Sequence, residues 1–336
     1  MKFWFTKGAW ASKKARKTIR SLTRDQIKKI AVIREAALGD MVLTRAFLTE
    51  VRKAFPNAKI TLSIISNYTR GCPEDLVDRV HIVHGHGNNA NLIEKIKRIR
   101  ELGTQDIIFD LATTNRSLKT CILNKAKLKI GFPYRMIQAR LFYDVATCRS
   151  DLNFEVNDML SQLHIFGVKT AYPHEYNMPG TPVKRPRPFI IYFTGASVQV
   201  KCWPEQHFSE LIAQMSSKYP DHDHLVLEGI LEWEKKYVET VLEPLKNIKN
   251  TFSIQANTIE DTTALIKSAA LLVANDTGIR HLAIVSNTPT VGIFFGDPYR
   301  YWPRYDIHEV ALPEIDGPPE VAEVYAMCIK VMNKSS

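Results

Sequence analysis

The stretch from Ser268 to Pro303, SAALLVANDTGIRHLAIVSNTPTVGIFFGDPYRYWP, constrains the fold more than any other part of the chain. An apolar run, Ala269 to Ala274, stops at Asn275-Asp276-Thr277-Gly278, and apolar residues at helical spacing then carry the chain to Val285. A second apolar run, Thr290 to Phe295, lies between Pro289 and Gly296-Asp297-Pro298. The order strand, helix, strand joins parallel neighbours, because parallel strands need a crossover. Ligands of open parallel sheets gather beyond the carboxyl ends of the strands, and the turn 275–278 lies at such an end. Free backbone N–H groups at the helix start there favour an anion such as a phosphate.

The same alternation runs through the rest of the chain. Lys29 to Arg34 reads as a strand, and apolar positions from Met41 to Val51 as a helix ending before Pro56. Further strands are expected at Lys59 to Ile65, Val80 to Val83, Asp106 to Leu111 and Lys127 to Ile130, with helices over Asn91 to Leu102 and Asp151 to Phe166. Residues 178–188, MPGTPVKRPRP, hold four prolines and read as a linker. Beyond them come a strand at Phe189 to Phe193, a helix from Pro204, a strand at His224 to Leu227, helices from Glu232 and Thr258, then the opening unit and a last helix from Val321. The predicted organisation is an arm over 1–28, α/β domains over 29–177 and 189–336, and a C-terminal helix for which packing back on the first domain stays open.

With 336 residues, each domain has enough chain to bury a core. The five cysteines never stand in Cys-x-x-Cys spacing and read as reduced thiols. No apolar run reaches the ~20 residues of a membrane span, and no apolar signal core follows the N-terminal charges, so a cytoplasmic protein is expected. The net charge of +10 is local: ten of the 45 Lys and Arg but one of the 35 acids fall in the first 29 residues, leaving 35 against 34 elsewhere. Phe3, Trp4, Phe5 and Trp10 stand among these cations, a mixture suited to an anionic membrane surface. A solvated, partly disordered terminus is the plainer reading. Nucleic acid is disfavoured because the body has no basic excess.

Both halves place a polar turn where a strand gives way to a helix, Leu38-Gly39-Asp40 and Asp276-Thr277-Gly278. Asp40 has a plain reading as a helix N-cap, and Gly39 as a turn residue. A third loop, Phe193-Thr194-Gly195-Ala196-Ser197 followed by Lys201-Cys202-Trp203-Pro204, suits a diphosphate: Ser197 and backbone N–H groups donate while Lys201 supplies charge. Lys201 also reads as a surface residue, and Trp203 as core.

Three segments carry a family resemblance. IAVIREAALGDMVLTRAFLTEVRKAFPNAKITL resembles the amino-terminal motif of the bacterial lipopolysaccharide heptosyltransferases, glycosyltransferase family 9. GASVQVKCWPEQHFSELI and LLVANDTGIRHLAIVSNTPTVGIFFGDP resemble that family's two carboxy-terminal motifs, in the same order. The resemblance spans residue 29 to near the C-terminus. It implies two Rossmann-like domains facing across a cleft in the GT-B arrangement, and inverting heptose transfer from ADP-heptose with neither cofactor nor metal. The implied acceptor is a Kdo-containing lipid A precursor at the inner face of the cytoplasmic membrane. Asp40 is then the general base and Gly39 belongs to the acceptor-side turn. Ser197 and Lys201 match phosphate contacts, Asp276 a contact to sugar hydroxyls, and Thr277-Gly278 the phosphate-binding turn. His281 matches a recurrent histidine that packs or binds directly. The resemblance also places the ribose or base contact in the 228–234 region. The chain departs from the pattern at Phe193-Thr194-Gly195, where many members have His-Pro-Gly, and at Ile279-Arg280, with Arg280 read as paired or facing solvent. Another donor sugar, a protein acceptor and a non-catalytic nucleotide-sugar module remain alternatives.

Two metal-like patterns are declined. Asp221-His222-Asp223 spells DxD but follows Pro220 and precedes a strand, so it reads as a turn. His81, His84 and His86 lack a carboxylate or Cys neighbour in sequence and read as loop histidines.

Overall fold

Short β-branched and apolar runs, each closed by a polar turn, form the strands of two parallel sheets. The computed structural model describes residues 10–132, 141–196, 198–305, 307–314 and 317–335. The chain divides into two units between Tyr176 and Asn177.

The first unit contains β1 (Trp10–Ala11), α1 (Lys13–Ser21), β2 (Lys29–Ile33), α2 (Leu38–Ala54), β3 (Lys59–Ile65), β4 (Arg79–Val83), α3 (Leu92–Arg100), β5 (Gln105–Asp110), α4 (Asn115–Leu123), β6 (Ala126–Gly131), β7 (Val145–Ala146) and α5 (Glu155–His164). Its sheet runs β1-β7-β6-β5-β2-β3-β4, parallel except for the β1–β7 pair. Val32 of the central β2 faces Leu62 on one side and Phe109 on the other. An aromatic edge packs α2 on this sheet, Phe47 against Phe109 at 5.2 Å, and a second, Phe55 against Phe166 at 5.6 Å, joins the ends of α2 and α5.

The second unit contains β8 (Phe189–Phe193), α6 (Glu205–Lys218), β9 (Asp223–Leu227), α7 (Glu232–Leu242), β10 (Thr251–Ile254), α8 (Ile259–Ile266), β11 (Leu271–Asn275), α9 (Gly278–Val285), β12 (Thr290–Ile293), β13 (His308–Ala311) and α10 (Val321–Ser335). All its strands are parallel, in the order β10-β9-β8-β11-β12-β13. Tyr192, Trp203, Phe208, Leu271 and Val273 belong to one buried core, which α10 completes with Val324, Cys328 and Val331. Each fully buried large apolar side chain of this set contributes about 1.5–3 kcal/mol.

In both units the parallel strands follow the doubly wound order in which the first-formed strand sits centrally and the fourth lies beside it. The order reverses between β2 and β5 in the first unit, and between β8 and β11 in the second. Crevices beyond the carboxyl ends of those strand pairs are where such sheets take ligands.

The N-terminal segment differs from a free arm. From Trp10 onward it is part of the first unit: Trp10 pairs with Ala146, Ser12 caps α1 by accepting from Ala15 N at 3.0 Å, and Ala15 is buried. Residues 1–9, with Phe3, Trp4 and Phe5, lie outside the described residues. The proline-rich stretch 178–188 has no helix or strand and is fastened along α8, where Lys267 donates to the carbonyls of Met178 and Gly180.

Candidate functional site

The crevice of the second unit is built around Asn275, the last residue of β11. Its side chain is fully buried and bridges two loops: Nδ2 donates to the carbonyls of Thr194 (2.8 Å) and Gly195 (3.2 Å), and Oδ1 accepts from Trp203 N at 3.0 Å. The loop after β8 is thereby pinned beside the turn that opens α9. Trp203 anchors its far end, with Nε1 donating to Pro319 O at 2.8 Å and the indole wholly buried. Gly195 is needed for a close approach, since a Cβ there would stand 2.5 Å from Glu234 Oε1. Gly229 has the same constraint, 2.2 Å from Glu234 Oε2. The Glu234 carboxylate thus fills the floor under both loops and accepts from Leu231 N at 2.9 Å.

Three candidate groups lie on the loop and turn that border this crevice. Thr277 is the N-cap of α9, its hydroxyl accepting from Arg280 N, which leaves the N–H groups of Gly278 and Ile279 as first-turn donors for an anion. Lys201 ends a short 3₁₀ turn, is exposed, and forms no ion pair among the described residues. Asp276 has a side chain 37% exposed, with Oδ1 3.8 Å from His281 Nε2. His281 is buried and stands edge-on to Tyr301 at 5.0 Å. It backs Asp276 from inside, a packing and positioning place. Ser197 lies outside the described residues. Glu228, at the end of β9, accepts from Gln255 Nε2 at the neighbouring strand end.

Arg280 does not face solvent. It is fully buried, its guanidinium 4.8 Å from the Phe294 ring centroid and Nη1 donating to Tyr301 O. Burial pulls its pKa down to about 10, opposed by the negative charge of Asp276.

In the first unit Asp40 is not a helix N-cap. Ala37 holds that position, and Asp40 is the third residue of α2. Its carboxyl group is therefore free of capping duty. Asp40 Oδ1 lies 3.2 Å from Arg34 Nη2, while the side chain stays 30% exposed. Arg34, directly after β2 and only 3% exposed, also donates to Leu111 O (2.9 Å) and to Glu155 Oε1 (3.0 Å). Glu155 is gripped in turn by Arg149, whose Nη1 reaches Thr113 Oγ1 at 2.8 Å. The two carboxylates and two guanidiniums alternate from Asp40 to Arg149, so the buried charges neutralise one another. Thr113, beyond β5, has φ of 55°, a left-handed conformation uncommon outside glycine and held here against the cost of about 1–3 kcal/mol.

Gly39 is buried in the first turn of α2 and is not a left-handed residue, so backbone freedom is not what selects it. Nearby Glu35 accepts from Thr114 Oγ1 at 2.8 Å and lies 3.5 Å from Arg116 Nη1. Burial raises its pKa, against the pull of Thr114 and Arg116.

The metal-like patterns have other roles. Asp223 opens β9 and pairs with Arg187 at 3.1 Å. Both ring nitrogens of His81 are engaged, by Ser63 Oγ and Arg98 O, and burial lowers its pKa. Arg34, Arg149 and Glu155 carry no site expectation from sequence, whereas Asn275 stands in the 275–278 turn and Glu234 in the 228–234 region without the fastening roles the structure gives them.

The family model for glycosyltransferase family 9 (heptosyltransferase) matches residues 96–313, just under two thirds of the chain. Lipopolysaccharide heptosyltransferase 1 of Campylobacter coli is 20% identical over 308 residues, covering 84% of this chain and 88% of that protein. Among solved structures, a family 9 glycosyltransferase from Veillonella parvula superposes with a TM-score of 0.72 at 17% identity, covering 91% of this chain and 98% of the other. The E. coli heptosyltransferase WaaC with ADP-2-deoxy-2-fluoro heptose gives 0.70 at 16% identity, covering 92% and 100%. The structural likenesses carry the two-unit α/β fold, and the family match spans β5, β8 and β11, whose ends hold the crevice loops. The chain belongs to glycosyltransferase family 9, the heptosyltransferases.

Proposed function

We propose that this glycosyltransferase moves a heptose from ADP-heptose to a Kdo-containing inner-core lipopolysaccharide acceptor, with inversion and without a metal ion. The observation that carries the reading is the Asn275 clasp, which gathers the Lys201 loop, the open N-terminus of α9 and Asp276 at one crevice. A diphosphate there meets a cation and helix N–H groups, and the sugar beyond it meets the Asp276 carboxylate as a hydroxyl acceptor. That WaaC was solved with an ADP-heptose analogue supports ADP-heptose as the donor. Ser197 is assigned to the same diphosphate by the motif alone.

The chemistry follows from these groups. Asp40 takes the proton of the acceptor hydroxyl as its oxygen attacks the anomeric carbon. The bond from that carbon to the diphosphate breaks on the opposite face, and its electron pair leaves with ADP. Lys201 and the N–H groups of Gly278 and Ile279 stabilise the charge that develops. Arg34 holds the Asp40 carboxylate in place. Among the described residues no helix is long and apolar enough to cross a membrane; the proposed place of action is the cytoplasmic face, where the lipid-linked acceptor is presented.

A panel of ADP-, UDP- and GDP-sugars tests the donor. ADP-heptose alone should give a large thermal shift, because a ligand at 100 Kd stabilises by about 2.7 kcal/mol. Transfer to a Kdo-lipid A acceptor, read by mass spectrometry and unchanged in EDTA, completes the test. A shift with UDP-sugars only, or transfer abolished by EDTA, contradicts the reading.

A further inference from the structure

Helix α1 carries a surface that the transfer chemistry does not use. Lys13, Arg16, Lys17 and Arg20 stand at i, i+3, i+4 and i+7, which places all four on one side of the helix. They are exposed and, with Ser21, line an open cleft of about 420 Å³. None of the four forms an ion pair among the described residues, whereas Lys14, off this side, lies 3.6 Å from Asp144. The helix, KKARKTIRS, contains no acidic residue. Four like charges over roughly 10 Å of helix repel one another, and an apposed anion removes that penalty.

The helix is also fixed to the unit. Ala15 is buried, Ser12 N donates to Asp144 O at 2.9 Å, and Trp10–Ala11 pairs with β7. A cationic side held this rigidly presents itself in one orientation. The body beyond residue 29 is balanced at 35 basic and 34 acidic residues, so the patch does not continue as the basic track that a nucleic acid backbone follows. Phe3, Trp4 and Phe5 precede it in sequence, and Trp10 is half-buried beside it. Aromatic residues next to a short cationic patch match the headgroup region of a bilayer.

We propose that the Lys13, Arg16, Lys17, Arg20 side of α1 docks this protein on an anionic lipid bilayer. Docking goes beyond heptose transfer, and vesicle binding reads it whether or not the donor assignment holds. Each cation near an anionic surface adds about fivefold to partitioning, so four together contribute about 10²–10³-fold.

The test is co-sedimentation of the full chain with vesicles of phosphatidylcholine containing one third phosphatidylglycerol, against phosphatidylcholine alone. Wild-type protein should bind the anionic vesicles preferentially, and lose that binding between about 0.1 and 1 M salt as the screening length shortens from ~10 to ~3 Å. The quadruple variant Lys13→Gln, Arg16→Gln, Lys17→Gln, Arg20→Gln should bind about 10²–10³-fold more weakly, with its melting curve and ADP thermal shift unchanged. The Lys13→Arg, Lys17→Arg variant should bind as wild type does. Equal binding to neutral vesicles, salt-insensitive binding, a quadruple variant that binds like wild type, or displacement from vesicles by duplex DNA at equal phosphate concentration would each overturn the proposal.

Discussion

Replacing Asn275 by Ala tests whether one buried amide holds the second unit's crevice, the proposed donor site, together. The side chain is fully buried and makes three hydrogen bonds, all to backbone groups of the loop after β8. Truncation leaves the carbonyls of Thr194 and Gly195 and the N–H of Trp203 without that partner. At about 1–3 kcal/mol for each unsatisfied buried group, with partial relief by entering water, the loss is about 3–5 kcal/mol. That is a large part of the ~5–15 kcal/mol of a typical domain. For a unit of this size it lowers the melting temperature by roughly 10 °C. Trp203, Trp233 and Trp302, three of the five tryptophans, lie in the second unit, so urea unfolding followed by fluorescence reports mainly on it. Asn275→Asp should be at least as destabilising at neutral pH, because it keeps the acceptor for Trp203 N but turns a carboxylate oxygen toward two carbonyls. ADP affinity should fall in both variants. A stability change below about 0.5 kcal/mol, the size of an ordinary surface substitution, would refute the clasp.

Three further outcomes follow from the same geometry. Glu155→Ala leaves the Arg34 and Arg149 guanidiniums without the carboxylate between them and should cost about 3–5 kcal/mol in the unfolding of the first unit; a near-neutral change would show that the charge chain is not supporting α2. Gly195→Ala should destabilise by about 1–3 kcal/mol through the clash with Glu234, and most of that penalty should vanish in a Glu234→Ala background; additive effects in the double-mutant cycle would contradict the contact. His224 and His308 are buried neutral, held by burial at about 4 and about 3, with Arg280 adding to the depression at His308. The unfolded chain takes up these protons near pH 6.5, before the folded unit does. Second-unit stability should therefore be full above pH 6.5 and fall toward pH 4, with a slope approaching ~2.7 kcal/mol per pH unit. His224→Gln should remove about half of that slope, and a flat profile from pH 4.5 to 7 would be incompatible with it.

Strand positions were legible where apolar runs are long and bounded by turn residues: Lys59–Ile65 and Phe189–Phe193 were read with the ends that the structure has. The short strands escaped. Trp10–Ala11 and Val145–Ala146 contain two residues each, and His308–Ala311 carries His and Glu within a four-residue strand, so no period-two pattern marks them. Asn115–Leu123 mixes polar and apolar residues with no marked stripe, yet a Thr114 capping box starts it. The crevice turns were legible because strand-to-helix switches leave polar residues at a predictable end of a parallel sheet. Their fastening was not. Asn275 meets the 194–203 loop across some 70 residues of chain, and Arg34 meets Glu155 across 121, distances over which local pattern carries no information. Arg280 shows the same limit from the other side: its charge left pairing and solvent exposure both open, while the Phe294 ring and Tyr301 carbonyl that enclose it come from the segment after the next strand.

The central claim is that Asp40 acts as the general base, a carboxylate free of helix capping and held by Arg34. Turnover of Asp40→Asn with ADP-heptose and a Kdo-lipid A acceptor, measured beside its ADP thermal shift, tests it most directly. The amide keeps the size and loses the basicity, so turnover should drop about 10²–10⁴-fold with ADP binding intact. Wild-type turnover in that variant would contradict the account.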